Sequence, residues 1–137
     1  MPWEHFAHGA DIGVRGIGAS LNESFEQAAL ALTEVICPLE GIDARESVQI
    51  RCEAPDAEVL FTDWLNALIY EMSTRNLLFS RFAVDIRDYR LTATAWGEAL
   101  DRERHHPTVE VKAATYTALL VTQRDDGSWI AQCVVDV

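Results

Sequence analysis

The run Ser47–Met72, SVQIRCEAPDAEVLFTDWLNALIYEM, changes its period half-way. From Ser47 to Glu53 it alternates, with Val48, Ile50 and Cys52 on one face, the pattern of a half-buried strand. Pro55-Asp56 interrupts it, and Asp56 is placed to cap a helix. Leu60, Trp64, Leu65, Leu68, Ile69 and Met72 then recur at helical spacing as one buried stripe.

Upstream, residues 3 to 8 and 12 to 17 read as short strands around a Gly9-Ala10-Asp11 corner, and Gly16 and Gly18 break the chain. Ser20-Leu21-Asn22-Glu23 is a capping box. Leu21, Phe25, Ala28, Ala29, Leu32, Val35 and Ile36 continue it as a helix that Pro38 ends. Downstream, Phe82, Val84 and Ile86 alternate, Asp88 marks a turn, and Leu91 to Trp96 makes another strand. Residues 97 to 108 lack apolar periodicity and read as a loop suited to function. Val109 to Gln123 reads as extended, Asp125-Asp126-Gly127-Ser128 as a hairpin turn, and Trp129 to Val137 as a closing strand. Strands outnumber helices without regular alternation. The expected fold is α+β, a single two-layer domain over residues 1–137 with a mixed β-sheet and two helices packed on one face.

Composition narrows the function. The chain has 137 residues, 49% of them hydrophobic, enough for a core without staples. No apolar run approaches the roughly 18 residues of a membrane span, and the Met1-Pro2-Trp3-Glu4-His5 start has no signal-peptide character. Cys37, Cys52 and Cys133 are odd in number and widely spaced, as buried thiols in a reducing cytoplasm would be. A net charge of −11 argues against autonomous binding of a phosphate backbone, so any RNA role would run through a protein partner, a metal or a local patch.

Two acids at opposite ends stand out: Asp11 in His8-Gly9-Ala10-Asp11-Ile12-Gly13 and Asp136 in Cys133-Val134-Val135-Asp136-Val137. If the last strand pairs near the first, Asp11, Asp136 and the terminal carboxylate gather hard donors suited to Ca, Mg or Mn. The plainer readings are a turn residue and a solvated tail residue. His5 and His8, three apart in a strand, point to opposite faces and do not grip one ion; His8 orients Asp11 or caps the corner. Glu98 and Asp101 form either a carboxylate pair or a solvated acidic loop, and one of His105-His106 points into a site. Lys112, the one lysine beside ten arginines, sits between Val111 and Ala113 in what reads as a strand. Its amine there requires a carboxylate or a bound anion, and an ion pair with Glu98, Glu110 or Asp101 weighs equally with a functional role. No nucleophile elbow, phosphate loop or HExxH is present.

Six runs in order resemble the archease family across nearly the whole chain: His8 to Gly13; Ser20 to Ala29; Leu60 to Tyr70; Gly97-Glu98-Ala99-Leu100-Asp101 with His105; Glu110-Val111-Lys112-Ala113-Ala114-Thr115-Tyr116; and Val134 to Val137. Two residues depart from the pattern. Gly9 stands where Thr is usual, which removes a hydroxyl that would steady the Asp11 corner and implies weaker metal affinity there. Ala67 replaces a more usual Glu. The resemblance implies an accessory protein, not itself an enzyme, for an RtcB-type RNA ligase. That ligase joins a 2′,3′-cyclic-phosphate or 3′-phosphate RNA end to a 5′-hydroxyl using GTP and a metal, and the accessory protein promotes its guanylylation and turnover. It further implies that Asp11, Asp136 and Val137 hold a divalent cation. Glu98 and Lys112 would line a working surface, with His8, Asp101 and His105 nearby, and RNA would be met only through the ligase. Two other readings compete: a small metal-dependent phosphoester hydrolase using Asp11, Asp136 and Glu98, and a binding module with a purely structural ion.

Overall fold

Two capped helices hold the fold together. Helix α1 (Leu21–Ile36) begins where Ser20 Oγ accepts the Glu23 N–H at 3.1 Å, and α2 (Ala57–Arg75) where Asp56 Oδ1 accepts the Val59 N–H at 2.9 Å. Asn76, at φ 56°, closes α2 in the left-handed conformation common just past helix ends. The computed structural model describes residues 2–137. Its strands are β1 (Trp3–His8), β2 (Asp11–Gly18), β3 (Glu46–Glu53), β4 (Leu77–Arg87), β5 (Arg90–Ala99), β6 (Ala113–Ala114), β7 (Leu120–Gln123) and β8 (Trp129–Asp136). A single helical turn, α3, covers Arg102–His105.

The fold is α+β, but the expected mixed sheet is two antiparallel sheets. One runs β1-β2-β8-β6 with β7 also on β8; the other runs β3-β5-β4. All six pairings are antiparallel. The two-residue turns Gly9-Ala10 and Asp88-Tyr89 permit nothing else for β1–β2 and β4–β5. The sheets stay separate because α1 occupies the outer edge of β4. Asn22 Oδ1 accepts the Ile86 N–H at 3.0 Å, Glu26 Oε2 accepts the Val84 N–H at 2.8 Å, and Thr33 Oγ1 donates to the Phe79 carbonyl at 2.8 Å. Side chains thereby take the place of a neighbouring strand.

The main core joins both sheets and both helices. Phe25, Phe61, Trp64 and Phe79 are fully buried within it. Phe25 meets Phe61 edge-on, and Trp64 Nε1 donates to the Phe25 carbonyl at 3.1 Å. Against the larger sheet, α1 packs so closely that a Cβ at Gly16 would fall 2.0 Å from the Ser24 carbonyl oxygen. Gly16 therefore faces α1. By strand alternation Val14 and Ile12 face it too, while Asp11, Gly13 and Arg15 face away. The outward side agrees: Arg15 donates to Glu4 Oε1 at 2.6 Å and Gln132 Oε1 at 2.8 Å, and stacks 4.7 Å from the Phe6 ring.

The segment expected to be extended from Val109 to Gln123 is mostly irregular, with strand only at β6 and β7. It follows α2 in the opposite direction. Thr108 donates its N–H to the Ile36 carbonyl, Asn66 holds both the N–H and the carbonyl of Ala114, and Val121 donates its N–H to Glu58. Its backbone is divided between these helix partners and strand β8, where the Lys112 and Thr115 N–H groups donate to the Asp136 and Val134 carbonyls, and a turn with Ala118 at φ 54° breaks it.

Candidate functional site

The terminal segments meet. Strand β8 lies between β2 and β6, with Ile12 opposite Val135 and Ala113 opposite Asp136. One further step of that register sets Asp11 opposite Asp136, and His8 is already opposite Asp11. The Val137 N–H reaches Asp11 Oδ1 at 3.3 Å, and the Lys112 N–H donates to the Asp136 carbonyl at 2.9 Å. His8, Asp11, Asp136, Val137 and Lys112 thus share one end of the larger sheet. Directly opposed residues project from the same face, with Cβ atoms typically about 5 Å apart. Two like charges therefore face one another on the side away from α1. Both are half-buried, and among the described residues neither forms an ion pair. Nor do three or more His, Cys, Asp or Glu side chains there form a ready metal cluster. This corner offers two carboxylates, and any further donors would be main-chain oxygens and water.

Glu98 is placed very differently. It is 4% exposed, on β5 of the smaller sheet, at the base of an open depression that Arg45, Asp101 and Arg104 also line. Its Oε2 meets Arg104 Nη2 at 2.5 Å, the Asp43 N–H at 2.7 Å and His105 Nε2 at 3.0 Å, and its Oε1 meets Arg45 Nε at 3.2 Å. The Arg104 hydrogen bond, helped by Asp43 and His105, outweighs burial and draws the carboxyl down to about 2. His105, itself buried, accepts the Asp101 N–H on Nδ1 at 2.9 Å. Its Nε2 therefore carries the hydrogen donated to Glu98. Asp101 Oδ1 accepts the Glu103 and Arg104 N–H groups, capping α3. The polar stretch after Gly97 is thus folded around a buried acid: Glu98 is enclosed, whereas Asp101 is exposed with Arg102, Glu103 and Arg104, and the two do not act as a carboxylate pair. Among the described residues no hydrogen bond links this cluster to Asp11 or Asp136.

Comparison with known proteins agrees with these runs and this fold. Residues 3–137 match the Archease protein family (MTH1598/TM1083). The chain belongs to the archease family. It is 41% identical to the protein archease of Pyrococcus abyssi, with 98% of each chain covered, and 39% identical to that of Methanosarcina barkeri, covering 98% of this chain and 95% of the other. The solution structure of Methanobacterium thermoautotrophicum protein 1598 superposes with a TM-score of 0.86 at 35% identity, covering 99% of both chains.

In this archease Lys112 is not inside a strand. It lies just before β6 and is exposed, and among the described residues no ion pair with Glu98, Glu110 or Asp101 engages it. Only its backbone joins the sheet, so the amine has no need of a buried partner. Gly9 holds φ +58° in the two-residue turn, a region that β-branched residues avoid, so the corner is shaped by backbone freedom where a hydroxyl is missing. His5 Nε2 lies 2.8 Å from the Ala31 carbonyl, which ties β1 to α1 and removes His5 from the corner. Burial pushes the thiols of Cys133 and Cys52 up to about 12 and about 11, so neither is a reactive nucleophile. Among the described residues no helix is long and apolar enough to cross a membrane.

Sequence reasoning missed three partners of Glu98: Asp43, Arg45 and Arg104. Asp43 and Arg45 lie more than fifty residues upstream and carry no local signal. Arg104 sits in a run whose helical turn is only four residues long.

Proposed function

We propose that this archease is a metal-binding accessory protein that promotes guanylylation and turnover of an RtcB-type RNA ligase in the cytoplasm, and is not itself a catalyst. The observation that carries the reading is the uncompensated Asp11–Asp136 pair at the joined ends of the chain. Opposed carboxylates on neighbouring strands repel, and a divalent cation between them relieves that repulsion. Asp11, Asp136 and a main-chain oxygen of Val137 would hold the ion. Oxygen donors alone suit Ca, Mg or Mn. The ion supplies a local positive charge at an otherwise acidic surface. The chain's own residues set where that charge sits: the β2–β8 register fixes the carboxylates, the Val137 N–H orients Asp11, and the Lys112–Asp136 backbone bond holds Lys112 alongside. His8, opposite Asp11, borders the same corner. The net charge of −11 fits contact with a protein whose own basic surface receives RNA. Glu98, Asp101 and His105 then act as a structural support rather than as contacts.

The test mixes purified chain, the ligase of the same organism, GTP and a divalent ion, and follows covalent guanylylate. Wild type accelerates its formation, while Asp11→Asn and Asp136→Asn do not. Equal acceleration by all three defeats the metal role, and no acceleration by wild type defeats the ligase role.

A further inference from the structure

Pairing of β2 with β8 ends at Ile12 and Val135, and beyond that step the paired partner of Asp136 is Ala113 on β6. Strand β6 has two residues, too few to hold a position unaided. It is gripped from α2. Asn66 Oδ1 accepts the Ala114 N–H at 2.9 Å, and Asn66 Nδ2 donates to the Ala114 carbonyl at 3.2 Å. One side-chain amide thus takes both main-chain groups of one residue, as a neighbouring strand would. Among the described residues no other side chain bonds the backbone of Ala113 or Ala114. Asn66 is itself fixed, because Trp64, Leu65 and Leu68 around it on α2 are fully buried. On the other side, Thr115 gives its N–H and its hydroxyl to the Val134 carbonyl at 3.0 and 2.8 Å. Lys112 gives its N–H to the Asp136 carbonyl at 2.9 Å. Residues 112–115 therefore bridge α2 to the end of β8.

We infer that Asn66 is a positioning residue for the cation corner: through Ala114 and the β6–β8 pairing, its amide sets where Asp136 stands against Asp11 and holds Lys112 beside them. The residue type fits this work. Leucine has a similar volume and neither polar atom, so it would leave the N–H and carbonyl of the buried Ala114 without partners. Glutamine keeps both atoms but sets them one methylene further out, which displaces the bridge. Hard cations take their oxygens within narrow distance limits, so a shift of Asp136 is felt as lost affinity. Residues that support metal ligands in this way are typically worth about 10–100-fold in affinity. A side chain that only satisfied the backbone would change stability and leave affinity alone, which separates the two roles.

This inference rests on the metal reading and names the residue that supports its site. Binding of calcium and, separately, manganese to the full-length chain is measured by calorimetry for wild type, Asn66→Leu, Asn66→Gln and Ser20→Ala. Ser20→Ala removes the cap of α1 and serves as a control that lowers melting without touching the bridge. Ion-free melting curves set a temperature at which the variants are folded, and Asn66→Gln keeps the test open should Asn66→Leu not fold. Asn66→Leu should bind the ion about tenfold more weakly than wild type and Asn66→Gln at least about threefold, whereas Ser20→Ala should stay within about twofold. Hydrogen exchange of the Lys112 N–H should quicken in both Asn66 variants and not in Ser20→Ala. Ion affinity within about twofold of wild type in every folded Asn66 variant overturns the positioning role and leaves the metal reading intact. An equal loss of affinity in Ser20→Ala also overturns it, since general loosening would then explain the effect. Binding of neither ion by wild type overturns both.

Discussion

Two acidic sites on this chain have opposite electrostatics. At Glu98 one buried carboxylate has two arginines, a histidine and a backbone N–H around it. At the Asp11–Asp136 corner two half-buried carboxylates face each other, and the hydrogen bond from the Val137 N–H is the compensation the structure gives them. At Glu98 the neighbouring groups already balance the charge and tie β5 to α3 and to the Asp43–Arg45 segment. An uncompensated pair costs the fold something and gains when a cation arrives. Residue type alone does not separate the two cases; the partners do.

The largest effect should come from breaking the compensated site. Glu98→Ala strands the Arg104 and Arg45 guanidinium groups, His105 and the Asp43 N–H around a void. The cost should be about 2–4 kcal/mol, less than for a fully buried pair because both arginines reach solvent. Thermal melting should fall by roughly 10 °C, and added divalent cation should not restore it. A fall of only a degree or two would mean that the cluster is not the support described.

Acid titration sharpens the same contrast. Glu98 is lowered in the folded state from 4.5 to about 2. The sign follows: the unfolded chain binds the proton more readily, so the stabilisation is complete above about pH 4.5 and is lost as pH falls toward 2. Urea unfolding at stepped pH should show this loss in wild type. In Glu98→Gln the slope across that window should be shallower, and an unchanged slope would put the acid sensitivity elsewhere.

Smaller shifts belong to the corner. Without divalent cation, Asp136→Asn should keep wild-type stability or gain up to about 1 kcal/mol, because a repulsion is removed. Lys112→Ala, exposed and unpaired, should change stability by no more than about 0.5 kcal/mol. If its loss nevertheless abolishes ligase stimulation, its role lies in contact with the partner. A large loss of stability in either variant would show that the corner is a structural element like Glu98.

Much of this was legible locally. Ser20 and Asp56 announce their helices through capping chemistry that needs only three neighbouring residues, and Asp88 announces a tight turn. What escaped is non-local. Insertion of β8 between β2 and β6 depends on pairing across more than a hundred residues, so the meeting of Asp11 with Asp136 stood in the sequence only as a condition. The division into two sheets depends on Asn22, Glu26 and Thr33 reaching the edge of β4, and those residues read simply as polar positions on a helix. The Lys112 segment alternates like a strand, yet its backbone is divided between strand β8 and the side chains of Asn66 and Glu58 on α2, which breaks the ladder. Glu98 read as a loop acid because its counter-charges come from Arg45, far upstream, and from a turn too short to show periodicity.

The central claim is that Asp11 and Asp136 form one cation site, and a melting titration with calcium or manganese tests it most directly. Wild type should melt at rising temperature as the ion is added, gaining about 2.7 kcal/mol at a hundredfold excess over its dissociation constant. Asp11→Asn and Asp136→Asn should each lose most of that rise. A rise of equal size in both variants, or none in wild type, would contradict the account.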